Sequence, residues 1–197
     1  SLVNIWLNGR EPLEALTASF FNVVSVVTTT GYASEDYSLW GGLAVMVFFY
    51  LTFVGGCSGS TAGGLKIFRF QVAYIILRRQ LDRLVHPRAV LTERYNNREI
   101  GEDIIRSLVS FSFFFALTIG FLALALSAFG LDFMTSMTGA ITAVTNVGPG
   151  LGQTIGPAGN FASLPDGAKW LLSIGMLLGR LEIMTVLVLL TPGFWRG

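Results

Sequence analysis

The stretch that decides the fold is VVTTTGYAS, residues 26–34, which ends an apolar run that begins near Leu16. Three successive threonines are poor helix formers, because β-branching restricts their rotamers and their hydroxyls compete for backbone partners. A simple turn would favour Asn, Asp or Pro at this point. The stretch therefore predicts a short helix followed by an extended strip, in which Gly31 can adopt a positive φ.

The composition of the whole chain is that of a membrane protein. Of its 197 residues, 52% are hydrophobic and 13% are charged, and the mean hydropathy is +0.64. Soluble domains carry roughly 25% charged residues. The single cysteine, Cys57, excludes an internal disulfide and gives no metal cluster. Because the chain opens at Ser1 without a Met or a signal-peptide pattern, we expect a piece of a longer protein.

The lengths of the apolar segments separate spanning helices from shorter ones. Six apolar segments cover residues 13–28, 39–54, 65–77, 104–129, 133–145 and 168–191. Crossing the hydrocarbon core takes about 20 residues. We therefore predict complete spans over 104–129 and 168–191, and re-entrant helices over 13–28 and 133–145.

Basic residues orient the chain in the membrane. Nine of the thirteen lie between Lys66 and Arg106. Such an excess is typical of cytoplasmic loops, so we predict a cytoplasmic loop over the polar residues 80–103. Acidic residues interspersed among the arginines argue against a nucleic-acid surface.

The apolar run 39–77 is too long for one span and is broken by GGCSGSTAGG, residues 55–64. Two antiparallel spans would place Glu35 and Asp36 on the same side as the cytoplasmic arginines. One outside-to-inside element with a loop within it puts both charge groups on their expected sides, and we favour this interpretation. Non-helical backbone at membrane depth is tolerated only against protein or a water-filled cavity, so this interpretation implies a pore.

The pattern of the opening stretch occurs twice. Aligning Gly31 with Gly148 sets SFFNVVSVVTTTGYA against SMTGAITAVTNVGPG. The alignment also pairs Ser19 with Ser136, Ser25 with Thr142, Val27 with Val144, and Thr28 with Thr145. In both copies a short helix, a polar strip and a spanning helix follow one another, as expected for an internal repeat.

Each strip resembles an ion filter. TTGYA (29–33) lies in register with the TVGYG of potassium channels, whose backbone carbonyls replace the water shell of the ion. We expect Thr29 and Thr30 to hold this backbone extended. In the second strip, NVGPG (146–150), Pro149 stands where the tyrosine would be.

Arg180 is a charge inside the apolar string LLSIGMLLGRLEIMTVLVLL, residues 171–190. A charge at mid-membrane costs about 2.5 kcal/mol or more and is a functional hypothesis by default. Glu182 lies two residues further, and such residues face different sides of a helix. We therefore expect Arg180 to face a pore rather than to pair with Glu182.

Two enzymatic interpretations of GCSGSTAGGLK (56–66) need weighing. GCSG resembles the turn that presents a serine nucleophile, here Ser58, but a nucleophilic serine needs a base within hydrogen-bond reach. The one histidine, His86, falls in the basic loop. A phosphate-binding loop does not fit, because Leu65 separates Gly64 from Lys66. An intramembrane serine hydrolase and a simple pore-loop cation channel remain the alternatives to a gated potassium pathway.

Four ordered strings resemble the TrkH branch of the Trk/Ktr/HKT potassium transporters. They are TTTGYAS (28–34), GCSGSTAGGLKIFR (56–69), TNVGPGLG (145–152) and GRLEIMTVLVLLTPGFW (179–195). The resemblance implies an all-α integral membrane fold of repeated M1–P–M2 pore-loop units, like those of potassium channels, with re-entrant pore helices and an intramembrane loop. Residues 1–83 would then hold the pore helix, filter and broken M2 helix of the third repeat. Residues 84–103 would be a cytoplasmic linker, and residues 104–197 the fourth repeat.

The same resemblance implies roles for particular residues. The potassium-binding filter would comprise Thr28, Thr29, Thr30, Gly31, Tyr32, Thr145, Asn146, Val147, Gly148 and Pro149. The gating loop (residues 55–64) would comprise Gly55, Gly56, Cys57, Ser58, Gly59, Ser60, Thr61, Ala62, Gly63 and Gly64, with Arg180 as the pore gate beneath the filter. Pro149 departs from the channel pattern, so the resemblance does not imply four equivalent carbonyl rings at its level.

The resemblance also implies a transporter rather than an enzyme. Its cargo would be K⁺, bound at filter carbonyls, with no organic cofactor in this chain. Its location would be the bacterial inner membrane, with the linker and C-terminus cytoplasmic. Its partners would be the lipid bilayer, a second copy in a homodimer and cytosolic TrkA-type nucleotide-binding subunits, with no nucleic acid.

Overall fold

The fold is a set of helices joined by short irregular segments, as a computed structural model describes it for residues 11–56, 63–86, 94–95, 98–99, 101–181, 183–191 and 194–195. The helices within these ranges are α1 Pro12–Val27, α2 Gly42–Leu51, α3 Ile67–Val85, α4 Glu102–Ala128, α5 Phe133–Thr145, α6 Asp166–Arg180 and α7 Ile183–Leu190. The strands there are two residues each: β1 Val54–Gly55, β2 Leu65–Lys66, β3 Arg94–Tyr95 and β4 Arg98–Glu99. The predicted all-α class is confirmed.

Helix α4 is the only one of the described helices that is long and apolar enough to cross a membrane. A window of 18 residues within Asp103–Ala128 has a mean hydropathy of 2.3. Buried Phe111, Ile119 and Leu122 pack this helix into one core with α5 and α6. Because α4 covers α5 in this way, the short helix α5 is enclosed by protein rather than by lipid.

The two short helices match the segments predicted to be re-entrant. Helix α1 has 16 residues and α5 has 13. Asp132 caps the N-terminus of α5, where its Oδ2 atom accepts a hydrogen bond from the Thr135 N–H at 3.1 Å. The side-chain and backbone hydrogen bonds from Thr135 hold the pKa of Asp132 below its usual value. The cap fixes where α5 begins, and therefore also where α5 ends and the strip that follows it starts.

The broken run 39–77 continues in one direction after its interruption. Strands β1 and β2 pair in parallel, with Val54 opposite Leu65 and Gly55 opposite Lys66. The N–H of Leu65 also donates to the Phe53 carbonyl at 3.0 Å. The chain thus leaves this point and returns to it with the same heading, as expected for one element with a loop inside and not for two antiparallel spans.

Two boundaries differ from those predicted. The run 168–191 is not one span, because α6 ends at Arg180 and α7 begins only at Ile183. The break follows Arg180, one residue after Gly179, whose lack of a side chain lets α6 approach the carbonyl end of α5. Residues 80–85 are helical rather than part of a loop, because the Leu, Arg and Gln residues there are good helix formers that prolong α3.

Candidate functional site

The first strip (residues 28–34) leaves the end of α1 and is held from behind by that helix. The carbonyl of Ser25 accepts hydrogen bonds from the N–H groups of Thr30 at 2.9 Å and Gly31 at 3.3 Å. The Ser25 hydroxyl donates to the Tyr32 carbonyl at 2.6 Å. Further along, buried Asn22 accepts from the Ser34 N–H at 3.1 Å. These bonds fix the strip against α1 without using the carbonyls at its centre.

The second strip (residues 145–151) repeats this geometry at the end of α5. The carbonyl of Thr142 accepts from the Val147 N–H at 3.2 Å, and the Thr142 hydroxyl oxygen accepts from the Gly148 N–H at 3.0 Å. Further along, the hydroxyl oxygen of Thr138 accepts from the Leu151 N–H at 3.1 Å. Thr142 is the residue that the alignment pairs with Ser25, so the internal repeat predicted from sequence extends to the hydrogen bonds.

Backbone conformation also agrees at matched positions of the two strips. Gly31 has a φ of +80° and Gly148 a φ of +120°. Two residues before each glycine, Thr29 and Asn146 both have a φ of 55°. The expectation that Thr29 is extended is therefore wrong. A left-handed residue turns the chain where it leaves α1. This conformation is rare for a β-branched side chain because it is sterically unfavourable.

The carbonyl oxygens at the centre of each strip have no partner in the described parts of the chain. Residues 28–31 and 145–148 contribute four carbonyls each, and none of these oxygens accepts a hydrogen bond from a described residue. The carbonyls of Tyr32 and Leu151, by contrast, accept from the Ser25 and Thr138 hydroxyls. Backbone carbonyls are obligatory acceptors, so those of the eight oxygens that are exposed are open to water or a cation. Tyr32, assigned to the filter from sequence, directs its carbonyl towards α1.

The two strips meet each other. A Cβ built at Gly31 would overlap the carbonyl oxygen of Val147 and would lie 3.3 Å from the Pro149 ring. A Cβ built at Gly148 would lie 3.7 Å from the Cα of Gly31. Val147 is 4% exposed and Thr145 is fully buried, so the second strip is enclosed by protein on its outer side. The two strips, from distant parts of the sequence, thus touch each other where Gly31 meets Val147.

Both described ends of the predicted gating loop (residues 55–64) lie where α1 meets the first strip. The N–H of Gly56 donates to the Val27 carbonyl at 2.8 Å, and the N–H of Gly63 donates to the Thr29 hydroxyl oxygen at 3.1 Å. A Cβ at Gly63 would overlap the carbonyl oxygen of Thr145, so the returning chain also touches the second strip. Gly55 and Gly64 complete the described ends. The predicted loop residues Cys57, Ser58, Gly59, Ser60, Thr61 and Ala62 lie outside the described residues.

Arg180 lies next to the contact between α6 and the end of α5. It is the last residue of α6 and is exposed. The preceding Gly179 packs so closely on the end of α5 that a Cβ there would overlap the carbonyl oxygen of Val144. In the first unit, Gly56 approaches the matching carbonyl, that of Val27. Arg180 thus follows directly on the point where α6 touches the base of the second strip.

Sequence reasoning missed the residues that support the strips from behind. Asn22, Ser25, Thr138 and Thr142 are all buried and all bond to strip backbone. A signal was present, because a hydroxyl residue precedes each strip glycine by six positions. The close contacts of Gly56 and Gly179 left no such signal, because they depend on the tertiary fold.

Comparisons with known proteins agree on one family. The family model for TrkH, described as a cation transport protein, matches residues 11–194. The Trk system potassium uptake protein TrkI of Halomonas elongata is 66% identical over 196 residues, which cover 98% of this chain and 40% of that protein. The Trk system potassium uptake protein TrkH of Salmonella typhimurium is 40% identical over 93% of this chain and 38% of its own length.

A solved structure has the same fold. The crystal structure of the potassium transporter TrkH from Vibrio parahaemolyticus aligns with a TM-score of 0.89 at 35% identity, and the alignment covers 99% of this chain and 41% of that one. The chain therefore spans about 40% of the length of the relatives that it matches.

Proposed function

Since this chain belongs to the TrkH family of cation transport proteins, we propose that it supplies two of the filter strips through which potassium ions cross a membrane. The observation that carries the proposal is the set of eight carbonyl oxygens, four in each strip, that no described residue bonds. Carbonyl oxygens at close quarters can replace the water shell of K⁺. The fixed bonds behind the strips, from Ser25 and Thr142, keep these oxygens from collapsing onto each other.

The strips belong to two pore-loop units. Residues 1–83 correspond to the pore helix, filter and broken M2 helix of a third repeat, residues 84–103 to a cytoplasmic linker, and residues 104–197 to a fourth repeat. The matched order of α1, first strip and α2 with α5, second strip and α6 supports this division. The named relatives are about two and a half times as long as this chain. We propose that the corresponding remainder of the full-length protein contributes the other strips of the pore.

The gating loop and Arg180 form the barrier below the filter in this proposal. Gly56 and Gly63 bring the loop to the bases of both strips. Arg180 follows directly on the contact between α6 and α5. A guanidinium there repels a passing cation and can donate to loop carbonyls, so it closes the path both by charge and by holding the loop.

The membrane setting and the partners follow from the family. We place the protein in the bacterial inner membrane, with the basic linker and the C-terminus in the cytoplasm because of the excess of arginine there. The relatives are named as proteins of a Trk system, and we propose that this protein works as a homodimer with cytosolic TrkA-type nucleotide-binding subunits. K⁺ is then cargo, and no organic cofactor takes part.

An intramembrane serine hydrolase fits the geometry poorly. Ser58 belongs to the loop that precedes α3, whereas His86 follows the last residue of that helix. A helix of 19 residues separates the end that follows the loop from the end next to His86 by about 28 Å, whereas a serine nucleophile needs its base within hydrogen-bond reach. A simple pore-loop cation channel is the second alternative, but it would have no use for the loop that interrupts the run between α2 and α3.

Cation replacement tests the proposal. The full-length protein is reconstituted into liposomes, and uptake is measured with K⁺, Rb⁺ or Na⁺ as the principal cation. We expect uptake of K⁺ and Rb⁺ to exceed that of Na⁺. Equal uptake of K⁺ and Na⁺, or no uptake with the regulatory subunits and nucleotide present, would reject the filter. A Ser58→Ala variant that transports normally would in addition reject the hydrolase.

A further inference from the structure

The side chain of Thr142 in α5 holds one peptide group of the second strip, the one that joins Val147 to Gly148. Its hydroxyl oxygen accepts a hydrogen bond from the Gly148 N–H at 3.0 Å. We propose that Thr142 is a positioning residue for ion selectivity, because this bond keeps the Val147 carbonyl turned towards the first strip. The inference rests on the proposed function, since it takes that carbonyl to be part of a potassium filter.

The geometry of the peptide group links the bond behind the strip to the oxygen in front of it. The peptide is trans, so its carbonyl and its N–H point in opposite directions. The Gly148 N–H points back to α5, and the Val147 carbonyl therefore points away from that helix. A second observation agrees, because the Val147 oxygen lies where a Cβ of Gly31 would be. The Thr142 hydroxyl thus sets the direction of a carbonyl at the contact between the two strips.

The residues on either side of this peptide group do not fix its orientation by themselves. Gly148 has a φ of +120°, and glycine populates both signs of φ readily. The side chain of Val147 is buried, so a rotation would move the peptide group and leave that side chain in place. A cavity of about 220 Å³, whose lining includes Thr142 and Gly148, borders the bond. A carbonyl turned back towards α5 would therefore find space behind the strip.

The matched peptide group of the first strip is held by backbone instead. The Gly31 N–H donates to the Ser25 carbonyl at 3.3 Å, whereas the Ser25 hydroxyl donates to the Tyr32 carbonyl at 2.6 Å. A substitution at Ser25 thus leaves the acceptor of the Gly31 N–H in place. At Thr142 the backbone carbonyl accepts from the Val147 N–H, so only the side chain serves the next peptide group. Dependence on a side chain is therefore specific to the second strip.

Loss of the Thr142 hydroxyl should lower selectivity. Thr142 is buried, so bulk water does not readily replace the missing acceptor. With the Val147 carbonyl turned away, the filter lacks one of the oxygens that replace the water shell of K⁺, and it discriminates less against Na⁺. From the net strength of one hydrogen bond, we expect the rotated form, and with it the permeability to Na⁺, to rise on the order of fivefold.

Three variants of the full-length protein test the role of the hydroxyl. Thr142→Val keeps the shape of the side chain, Thr142→Ala introduces a good helix former, and both remove the acceptor. Thr142→Ser keeps it. Reversal potentials with K⁺ on one side of a lipid bilayer and Na⁺ on the other give the permeability ratio. We expect the K⁺ over Na⁺ ratio to fall roughly fivefold for Val and Ala and to stay near that of the wild type for Ser.

Thr118→Val is the matched control, because the Thr118 hydroxyl donates to the Phe114 carbonyl of its own helix at 2.8 Å. Its ratio should equal that of the wild type. A wild-type ratio in both Val and Ala at position 142, an equal fall for Ser, or an equal fall in the control would overturn the inference, while a selective wild type leaves the proposed function intact. If neither Val nor Ala folds, Thr142 is a structural residue and the inference is likewise wrong. A wild-type protein without preference for K⁺ over Na⁺ would reject the proposed function, and this inference with it.

Discussion

Replacing Gly31 by alanine should damage ion selectivity more than the same change at Gly148. Both glycines have a positive φ, +80° and +120°, so each alanine carries a conformational cost of about 1–2 kcal/mol. At Gly31 the new Cβ would also overlap the carbonyl oxygen of Val147, whereas at Gly148 its nearest neighbour is 3.7 Å away. Only the first change must therefore move a carbonyl of the other strip.

The size of the effect follows from these costs. If the strip relieves about 1–2 kcal/mol by rotating its peptide groups, its selective conformation loses roughly five- to thirtyfold in population. We expect the K⁺ over Na⁺ permeability ratio to fall by about this factor for Gly148→Ala. For Gly31→Ala it should fall further, because a second strip is displaced as well.

Reversal potentials of the full-length protein under mixed K⁺ and Na⁺ gradients measure this ratio. Gly120→Ala provides the control, because Gly120 lies within α4 and a Cβ there meets nothing within 4 Å. Its permeability ratio should equal that of the wild type. If the folded Gly31→Ala protein retains the wild-type ratio, or is less affected than Gly148→Ala, then the contact between the strips does not set selectivity.

Three further predictions concern the gate and the pore helix. Arg180→Ala, →Gln and →Lys should each raise K⁺ uptake at equal surface expression, several-fold for the neutral variants and less for Lys, which keeps the charge but loses the planar fork. Uptake no faster than wild type in all three would make the arginine a structural brace. Deleting residues 59–62 should raise K⁺ flux without changing the K⁺ over Na⁺ ratio, and wild-type flux would argue against a gate in that loop. Asp132→Ala should lower the stability of the detergent-solubilised protein by about 1 kcal/mol at pH 7, whereas Asp132→Asn keeps a cap. Because folding lowers the pKa of Asp132, its stabilising charge is fully present above the unfolded pKa and is lost as the pH falls through the lowered value, so thermal unfolding of the wild type and the Asn variant should converge only in acid.

The parts of the fold that could be predicted from sequence were those with a local signal. The lengths of the apolar runs gave the two short helices to within a residue or two, since a run of 13–28 became Pro12–Val27. The alignment of Gly31 with Gly148 placed two residues of positive φ in register, because glycine is selected wherever the backbone needs that conformation. The hydroxyls of Ser25 and Thr142 were in the same alignment, although their supporting role was not recognised.

Features that depend on tertiary contacts could not be predicted. Thr29 is β-branched and so favours an extended backbone, yet it adopts a φ of 55°. It does so where the chain turns from α1 into the strip and where its hydroxyl oxygen accepts a hydrogen bond from Gly63. The break after Arg180 lies within an apolar string of good helix formers, one residue beyond the point where Gly179 packs on the end of α5. No periodicity in the sequence reports such a contact.

The two units share the support behind their strips but differ in what the left-handed residue of each strip binds. Both strips turn through a left-handed residue, and both are held from behind by a hydroxyl residue of the pore helix. Asn146 then fastens the second strip to a carbonyl of α6, a regular helix whose own hydrogen bonds resist movement. Thr29 fastens the first strip to a loop N–H that depends on one side chain. The side chain at the left-handed position thus matches the group beside it, an amide donor next to a carbonyl of α6 and a hydroxyl acceptor next to the Gly63 N–H.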